Sequence, residues 1–268
     1  MSPCQVSVVQ YAPRAEVLSN LEAMAPLVND AAEAGSALVV FPEYSHAFIP
    51  AQGQQWADMA ETVEGPFIEG LRALSIDNGG IVIIAGMLVR SRVDTRPANT
   101  QVAVGHEGIL ARAEKTHLYD AFGASESSWI RPGTLDAPQV FPCGGFAVGM
   151  MACYDLRFPE VSRRLVDAGA EVIVTPSQWV PGDTKAHHFD TLLAARAIET
   201  QTYVVASDHP EPHGVGLSQV VDPRGLVVTR AGAGPQVLHA SLDRAILDAV
   251  REANPMAEAR RWGVTPLG

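Results

Sequence analysis

The chain has 268 residues, 47% hydrophobic and 18% charged, a balance typical of a globular protein with a well-filled core. Its formal net charge is -11 and it has no basic run, which argues against nucleic acid and anionic membrane surfaces as partners. The start lacks a signal-peptide pattern, no apolar stretch is long enough to span a bilayer, and the three cysteines suggest no disulfide framework, so we expect a cytoplasmic protein.

The first third of the chain alternates strand and helix patterns. Residues 5–10 alternate in polarity and are rich in β-branched side chains, which predicts a strand. The apolar spacing over 15–34 predicts a helix. The remaining elements of this part are a buried strand at 37–41, a helix at 65–77 and a buried strand at 81–88.

The middle of the chain contains a predicted hairpin and a strand that ends at a cysteine. Strands 99–104 and 108–113 flank a glycine-bounded turn, which favours antiparallel pairing. The apolar run 146–152 predicts a buried strand and is followed directly by Cys153, and a helix pattern over 161–168 comes next. Because a helix N-terminus favours negative charge, we expect it to lower the pKa of the Cys153 thiol.

The last part of the chain combines short strands with two helices. Strands are predicted at 171–176, 203–207, 217–221, 226–230 and 237–242, and helices at 185–200 and 242–252. Strands that alternate with helices predict an α/β protein, and the hairpins indicate mixed sheets. The lack of linkers, repeats and composition breaks predicts one domain over 1–268, with no periodicity in the tail from about 254 to 268.

Three ionisable residues follow predicted strands, at the kind of position where α/β proteins collect active-site groups. Glu43 and Cys153 each follow an apolar strand, and Lys115 follows the hairpin. A carboxylate can take a thiol proton, a thiolate can attack a carbonyl and an ammonium can stabilise the oxyanion, so this set suits acyl transfer. Each residue alone is commonplace, because free cysteines usually pack in cores and lone charged residues usually face solvent.

Several segments resemble the signature blocks of the nitrilase, or carbon-nitrogen hydrolase, superfamily. The three main blocks are Phe-Pro-Glu at 41–43, the segment 114–120, and Cys-Tyr-Asp-Leu-Arg-Phe-Pro-Glu at 153–160, with further agreement at 194–200, 218–223 and 260–261. The main blocks stand in the order of the superfamily's Glu-Lys-Cys triad. The third block most resembles the Nit-type amidases, which include the ω-amidases and the deaminated-glutathione amidases.

The resemblance has implications for the fold, the assembly and the site. It implies a four-layer αββα sandwich with two mixed β-sheets, in homodimers or larger homo-oligomers, and we expect the tail 254–268 to pack at an oligomer interface. It implies no metal and no organic cofactor.

The same resemblance assigns roles to five residues. Glu43 would be the general base, Lys115 the oxyanion stabiliser and Cys153 the nucleophile. The backbone N–H of Tyr154 would be a second oxyanion donor. Glu126 would help to hold the lysine and the substrate.

The implied activity is that of a cysteine-dependent amidase. It would hydrolyse a non-peptide C–N amide bond of a small carboxylate-bearing substrate through a thioester, and release ammonia or an amine. Arg157 would either read the substrate carboxylate or tie down its own loop. Trp179 would lie in the core or in the pocket wall.

Other functions stay open at this stage. An acyltransferase or a nitrile-hydrolysing member of the same superfamily fits the residues, whereas a catalytically silent scaffold is disfavoured because all three triad residues are present. His187 and His188 form no expected metal site, since adjacent helical side chains point roughly 100° apart. His209 and His213 lie in a polar loop and are expected to be solvated.

Overall fold

In the computed structural model, residues 3–51, 53, 55–91 and 94–267 are described, and they form two β-sheets covered by helices. The strands are β1 (Cys4–Gln10), β2 (Leu38–Val40), β3 (Val82–Val89), β4 (Ala98–Gly105), β5 (Gly108–Glu114), β6 (Val140–Cys143), β7 (Phe146–Met150), β8 (Val172–Pro176), β9 (Tyr203–Ser207), β10 (Gln219–Val221), β11 (Val227–Arg230) and β12 (Gln236–Leu242). The α-helices are α1 (Val17–Glu33), α2 (Gln55–Asp58), α3 (Pro66–Asp77), α4 (Pro159–Asp167), α5 (Lys185–Thr200), α6 (Arg244–Ala253) and α7 (Met256–Ala259), and 3-10 helices cover Glu126–Ser128 and Cys153–Arg157.

Both sheets are mixed, as the hairpin patterns predict. The first has the order β12-β1-β2-β3-β4-β5 and the second the order β11-β10-β9-β8-β7-β6. In each sheet three central strands are parallel, β1-β2-β3 in the first and β7-β8-β9 in the second, and the outer strands are antiparallel.

The elements stack in four layers. Apolar side chains of the two sheets, such as Val8, Val40 and Val174, pack against each other in a central core. A second core lies between α1, α3 and the outer face of the first sheet, and a third lies between α4, α5 and the outer face of the second. The predicted four-layer αββα sandwich with two mixed sheets is therefore confirmed.

Two local features differ from the simplest sequence patterns. Helix α1 continues through Pro26, because Pro26 lies on the exposed side and the carbonyl it leaves unbonded can face water. Strand β6 is not predicted from the sequence, since Pro142 interrupts its pattern. It forms because it is the edge strand of its sheet, where a missing N–H costs no pairing.

The C-terminal segment contains one short helix that its sequence does not predict. Helix α7 is followed by Arg260, which forms an ion pair with Asp167 at the end of α4. Among the helices of the described residues, none combines the length and apolarity needed to cross a membrane. The single domain and the oligomer interface at 254–268 stay predictions.

Candidate active site

The sequence-predicted triad residues lie together at one edge of the sandwich. Glu43 follows β2, Lys115 follows β5 and Cys153 follows β7, so each enters the same cleft from the end of a strand. The cleft, counted with the solvent space at its mouth, measures about 350 Å³. It is lined by Glu43, Tyr44, Lys115, Tyr119, Glu126, Cys153, Tyr154, Arg157, Gln178, Trp179, Val180 and Lys185. A wider cleft of about 1100 Å³ lies beside β5 and α4 and contains none of the triad side chains.

Cys153 stands at a sharp backbone turn. Its φ is +38°, in the left-handed region that costs a non-glycine residue about 1 to 3 kcal/mol. The carboxylate of Asp155 braces this turn by accepting hydrogen bonds from the backbone of Ala152 (3.3 Å) and from the N–H of His117 (2.9 Å) and the hydroxyl of Thr116 (2.8 Å) after β5. The turn at Cys153 is thereby fixed to the strand end that carries Lys115.

A buried cluster of one ammonium and two carboxylates lies beside the thiol. The Nζ of Lys115 donates to Oε1 of Glu43 (3.0 Å) and to Oε1 of Glu126 (3.0 Å), and all three side chains are at most 2% exposed. Glu43 also accepts hydrogen bonds from the side chain of Asn99 (2.7 Å) and from the backbone N–H of Gln178 (2.8 Å). These contacts fix both oxygens of the Glu43 carboxylate.

Glu126 is fixed in the same way from the other side of Lys115. The hydroxyl of Tyr44 donates to Glu126 Oε1 (2.6 Å), and the backbone N–H of Tyr119 donates to Glu126 Oε2 (2.6 Å). The two carboxylates therefore hold the ammonium between them at a defined position next to Cys153.

The electrostatics of the cluster differ from one sequence-based expectation. Burial raises the pKa of the Cys153 thiol well above its ordinary value, the charge of Glu43 raises it further, and Lys115 opposes the rise. The prediction of a lowered thiol pKa is wrong, because α4 begins six residues after Cys153 and the intervening 3-10 turn does not offset burial. Burial also raises the pKa of Glu43, with Lys115 opposing the rise and Glu126 adding to it.

Lys115 keeps its charge in this environment. Burial alone lowers its pKa, but the carboxylates of Glu126 and Glu43 outweigh burial and raise the pKa well above the ordinary value. The resting site therefore contains a protonated thiol, a firmly charged ammonium and a carboxyl group that is a stronger base than an exposed glutamate. Such a pair can exchange a proton during a reaction.

Sequence and structure comparisons identify the family of the chain. The sequence model described as carbon-nitrogen hydrolase matches residues 5–252. The chain belongs to the carbon-nitrogen hydrolase family. The deaminated glutathione amidase of Escherichia coli O157:H7 is 35% identical over 262 residues, which cover 98% of this chain and 99% of the relative.

Two solved structures extend the likeness to the fold. The Caenorhabditis elegans NitFhit protein superposes with a TM-score of 0.88 at 28% sequence identity. The superposition covers 97% of this chain and 66% of the longer NitFhit chain. Nit3 of Saccharomyces cerevisiae, a member of the nitrilase superfamily, superposes with a TM-score of 0.82 at 25% identity, over 97% of each chain. The predicted resemblance to Nit-type amidases of the nitrilase superfamily is confirmed.

The remaining sequence-predicted residues of this carbon-nitrogen hydrolase surround the thiol. Tyr154 follows Cys153, and its ring meets that of Tyr119 edge-on at 5.1 Å. The guanidinium of Arg157 lies 4.7 Å from the ring centroid of Trp179. Trp179 is 3% exposed, and its indole N–H donates to the carbonyl of Lys185 (2.9 Å), so this residue belongs both to a core and to the cleft wall.

Sequence reasoning missed several residues of the site. Asn99 and Gln178 carry no distinct pattern, since only tertiary contacts bring them to the cleft. Tyr44 adjoins Glu43 and Tyr119 lies inside the signature block 114–120, so their places in the sequence could have indicated the site. Lys185 has one weak signal, its position at the start of a predicted helix.

His209 corrects another expectation. It is fully buried rather than solvated, and its Nε2 lies 2.7 Å from the carbonyl oxygen of Glu43. Burial lowers the pKa of His209 to about 4, so the ring is neutral and supports the backbone at Glu43. Within the described ranges, no group of three or more His, Cys, Asp and Glu side chains has the arrangement of a metal site.

Proposed function

We propose that this carbon-nitrogen hydrolase is a cysteine-dependent amidase with Cys153 as its nucleophile. The observation that supports this most directly is the buried ammonium of Lys115, held between Glu43 and Glu126 beside a thiol. This set supplies the base, the nucleophile and the oxyanion donor that acyl transfer requires. Neither a metal nor an organic cofactor enters the steps that follow.

The acylation step begins with proton transfer from Cys153 to Glu43. The sulfur attacks the amide carbonyl, and the negative charge moves to the carbonyl oxygen. An ammonium has three N–H donors, so Lys115 can hold two carboxylates and direct its third donor to this oxygen, together with the backbone N–H of Tyr154. Glu43 then gives its proton to the leaving nitrogen, the C–N bond breaks, and a thioester stays on Cys153.

Deacylation reverses the same proton path. Glu43 takes a proton from a water molecule, whose oxygen attacks the thioester carbonyl. The oxyanion again forms at Lys115 and Tyr154, the C–S bond breaks, and the sulfur recovers its proton from Glu43. The raised pKa of Glu43 suits this role, because a base whose pKa lies nearer to that of the thiol transfers protons more readily.

The substrate that fits best is an amide of a small carboxylic acid. Arg157 presents a guanidinium to the cleft, and its Nε is buried without a hydrogen-bond partner among the described residues. A substrate carboxylate would satisfy it. The name of the Escherichia coli relative suggests that amides of the deaminated-glutathione type belong in the first substrate panel.

The test is release of ammonia or amine from short ω-amides and deaminated γ-glutamyl peptides. We expect wild type to hydrolyse at least one of them, and Cys153→Ala to lose activity by about 10⁴-fold or more, because removing a nucleophile leaves only binding and oxyanion stabilisation. Cys143→Ala is the matched control, since that thiol lies in the central core between the sheets. Intact-mass spectra of wild type should show an acyl adduct on Cys153 early in the reaction.

The same assay separates the alternatives. Formation of an adduct that is released only when an amine acceptor is added would assign an acyltransferase. Turnover of the corresponding nitriles in place of the amides would assign a nitrile hydrolase. No adduct and no turnover with any substrate would contradict the proposal and favour a silent scaffold.

A further inference from the structure

The chain uses lysine sparingly. Lys115 and Lys185 are its only lysines, against 17 arginines, and both line the cleft of Cys153. Lys115 is held by two carboxylates. Lys185 forms no ion pair with any carboxylate of the described residues. The two ammonium groups therefore have different kinds of partner within one cleft.

Lys185 is buried against neutral partners. Lys185 is the first residue of helix α5 and is 5% exposed. Its Nζ donates a hydrogen bond to the hydroxyl of Tyr119 (2.8 Å). The ring centroid of Phe122 lies 3.8 Å from the same Nζ. A buried ammonium with only a phenol and an aromatic ring beside it is poorly compensated for the loss of water.

Arg157 converges on the same place. Its guanidinium lies 5.8 Å from the Phe122 ring centroid, so both cations lie near one aromatic side chain. Burial lowers the pKa of Lys185, and the nearby charge of Arg157 lowers it further. Two cations at 3.8 and 5.8 Å from one ring centroid, one of them with an unpartnered Nε, form a site for an anion.

The net charge of the cleft lining also favours an anionic ligand. Glu43 and Glu126 contribute two negative charges, and Lys115, Arg157 and Lys185 contribute three positive ones. The lining therefore has an excess of one positive charge. A ligand with one carboxylate would balance it.

We infer that Lys185 is a specificity-determining residue that binds, together with Arg157, a single carboxylate of the substrate. This inference rests on the proposed amidase function and adds a residue and a geometry to it. The carboxylate would replace the hydroxyl of Tyr119 as the acceptor of the Lys185 ammonium. The charge of Lys185 then selects anionic amides over neutral ones of the same shape.

The kinetic test compares two substrates of nearly equal size. Succinamate carries a carboxylate, and 4-oxopentanamide replaces it with a neutral methyl ketone. The measured quantity is kcat/KM for succinamate divided by kcat/KM for 4-oxopentanamide. We expect Lys185→Met to reduce this ratio by about 10- to 100-fold, because the substrate carboxylate loses a charge-assisted hydrogen bond. Lys185→Arg should restore part of the ratio, because it restores the charge.

Controls separate specificity from a structural effect. Arg72→Met removes one positive charge from the exposed side of α3 and should leave the ratio unchanged. If Lys185 only supports Tyr119, Lys185→Met will slow both substrates equally, and an unchanged ratio would overturn the inference. Thermal melting verifies that each variant folds, and Lys185→Gln replaces the Met variant if that one does not.

A binding measurement distinguishes this inference from the proposed function. Calorimetric titration of succinate into Cys153→Ala needs no catalysis, and adding Lys185→Met should weaken binding by about 10-fold or more. Binding that depends on Lys185 without any amide hydrolysis by wild type would refute the amidase and support the carboxylate site. Hydrolysis by wild type with succinate binding independent of Lys185 would refute the carboxylate site alone.

Discussion

At the scale of single residues, the reactivity of Cys153 depends on the transfer of its thiol proton to a base. Burial raises the pKa of its thiol, and burial also raises the pKa of the neighbouring Glu43. Thiolate formation is therefore tied to the reaction rather than present beforehand. This arrangement protects the sulfur from reagents that attack any thiolate they meet, since the resting sulfur keeps its proton.

A variant without the base tests this point. In Glu43→Gln, the rate of Cys153 alkylation by iodoacetamide should rise with pH and show no plateau below about pH 8.5, the ordinary thiol pKa. The sign follows from burial, which is the largest cause of the raised thiol pKa and stays in the variant, whereas the loss of the Glu43 charge removes only a smaller cause. A raised pKa shifts thiolate formation to higher pH. Peptide mass mapping after timed quenching distinguishes Cys153 from Cys4 and Cys143. A plateau near neutral pH would mean that a resting thiolate exists and would contradict the argument.

The sequence identifies some site residues much better than others. Glu43, Lys115 and Cys153 stand in signature blocks, and the structure brings all three into one cleft. Asn99 and Gln178 fix the carboxylate of Glu43 through an amide side chain and a backbone N–H. Such contacts cannot be predicted from the sequence pattern, because the packing of strands far apart in the chain determines which groups meet.

At the scale of secondary-structure elements, the turn at Cys153 depends on one carboxylate. Asp155 is buried and joins the turn after β7 to the segment after β5 through bonds to Ala152, Thr116 and His117. Charge-assisted bonds of this kind hold a strained φ in place. The two strand ends therefore act as a unit that sets the position of sulfur relative to ammonium.

Removal of the Asp155 carboxylate should destabilise the turn after β7 and the segment after β5. We expect Asp155→Ala to lower the free energy of unfolding by about 2 to 4 kcal/mol, since one buried donor and two half-buried residues lose a charged acceptor. For a chain of this size that corresponds to a Tm about 4 to 7 °C lower, which calorimetry can measure. Asp183→Ala, at an exposed position before α5, is the control. Equal Tm values for the two variants would show that Asp155 does not brace the turn.

Element prediction succeeds where the apolar pattern is complete and fails at an edge. Helix α5 and strand β9 lie where their patterns predict, because both are packed on a core face and repeat the period of that face. Strand β6 is missed because Pro142 removes a donor, which is harmless only if the strand has no neighbour on that side. The position of a strand within a sheet is not encoded in its own residues.

At the scale of the whole molecule, the C-terminal segment carries the two most exposed large apolar side chains of the described residues. Trp262 is 88% exposed and Leu267 is 95% exposed, although Arg260 anchors the start of this stretch on Asp167. Isolated exposed apolar side chains are common, but two in one extended stretch suit a contact with a second copy. We propose that the tail 254–268 packs at such an interface.

Truncation tests the role of the tail. A chain ending at Arg261 keeps the ion pair of Arg260 and lacks both exposed side chains. We expect it to sediment as a smaller species than wild type in analytical ultracentrifugation at equal concentration, because the apolar contact is lost. Replacing Leu226, which is exposed next to β11, with Ser is the control. Wild type that sediments as a monomer would refute both the oligomer and the interface.

The burial of both lysines has a practical consequence for handling the protein. Lys115 and Lys185 are 2% and 5% exposed, so the permanently charged cations on the described surface are arginines. Reagents that couple to primary amines, such as succinimidyl esters, do not react with guanidinium groups. Immobilisation on an amine-reactive sensor surface would therefore not proceed through these two buried lysines, so coupling would leave their ammonium groups unmodified.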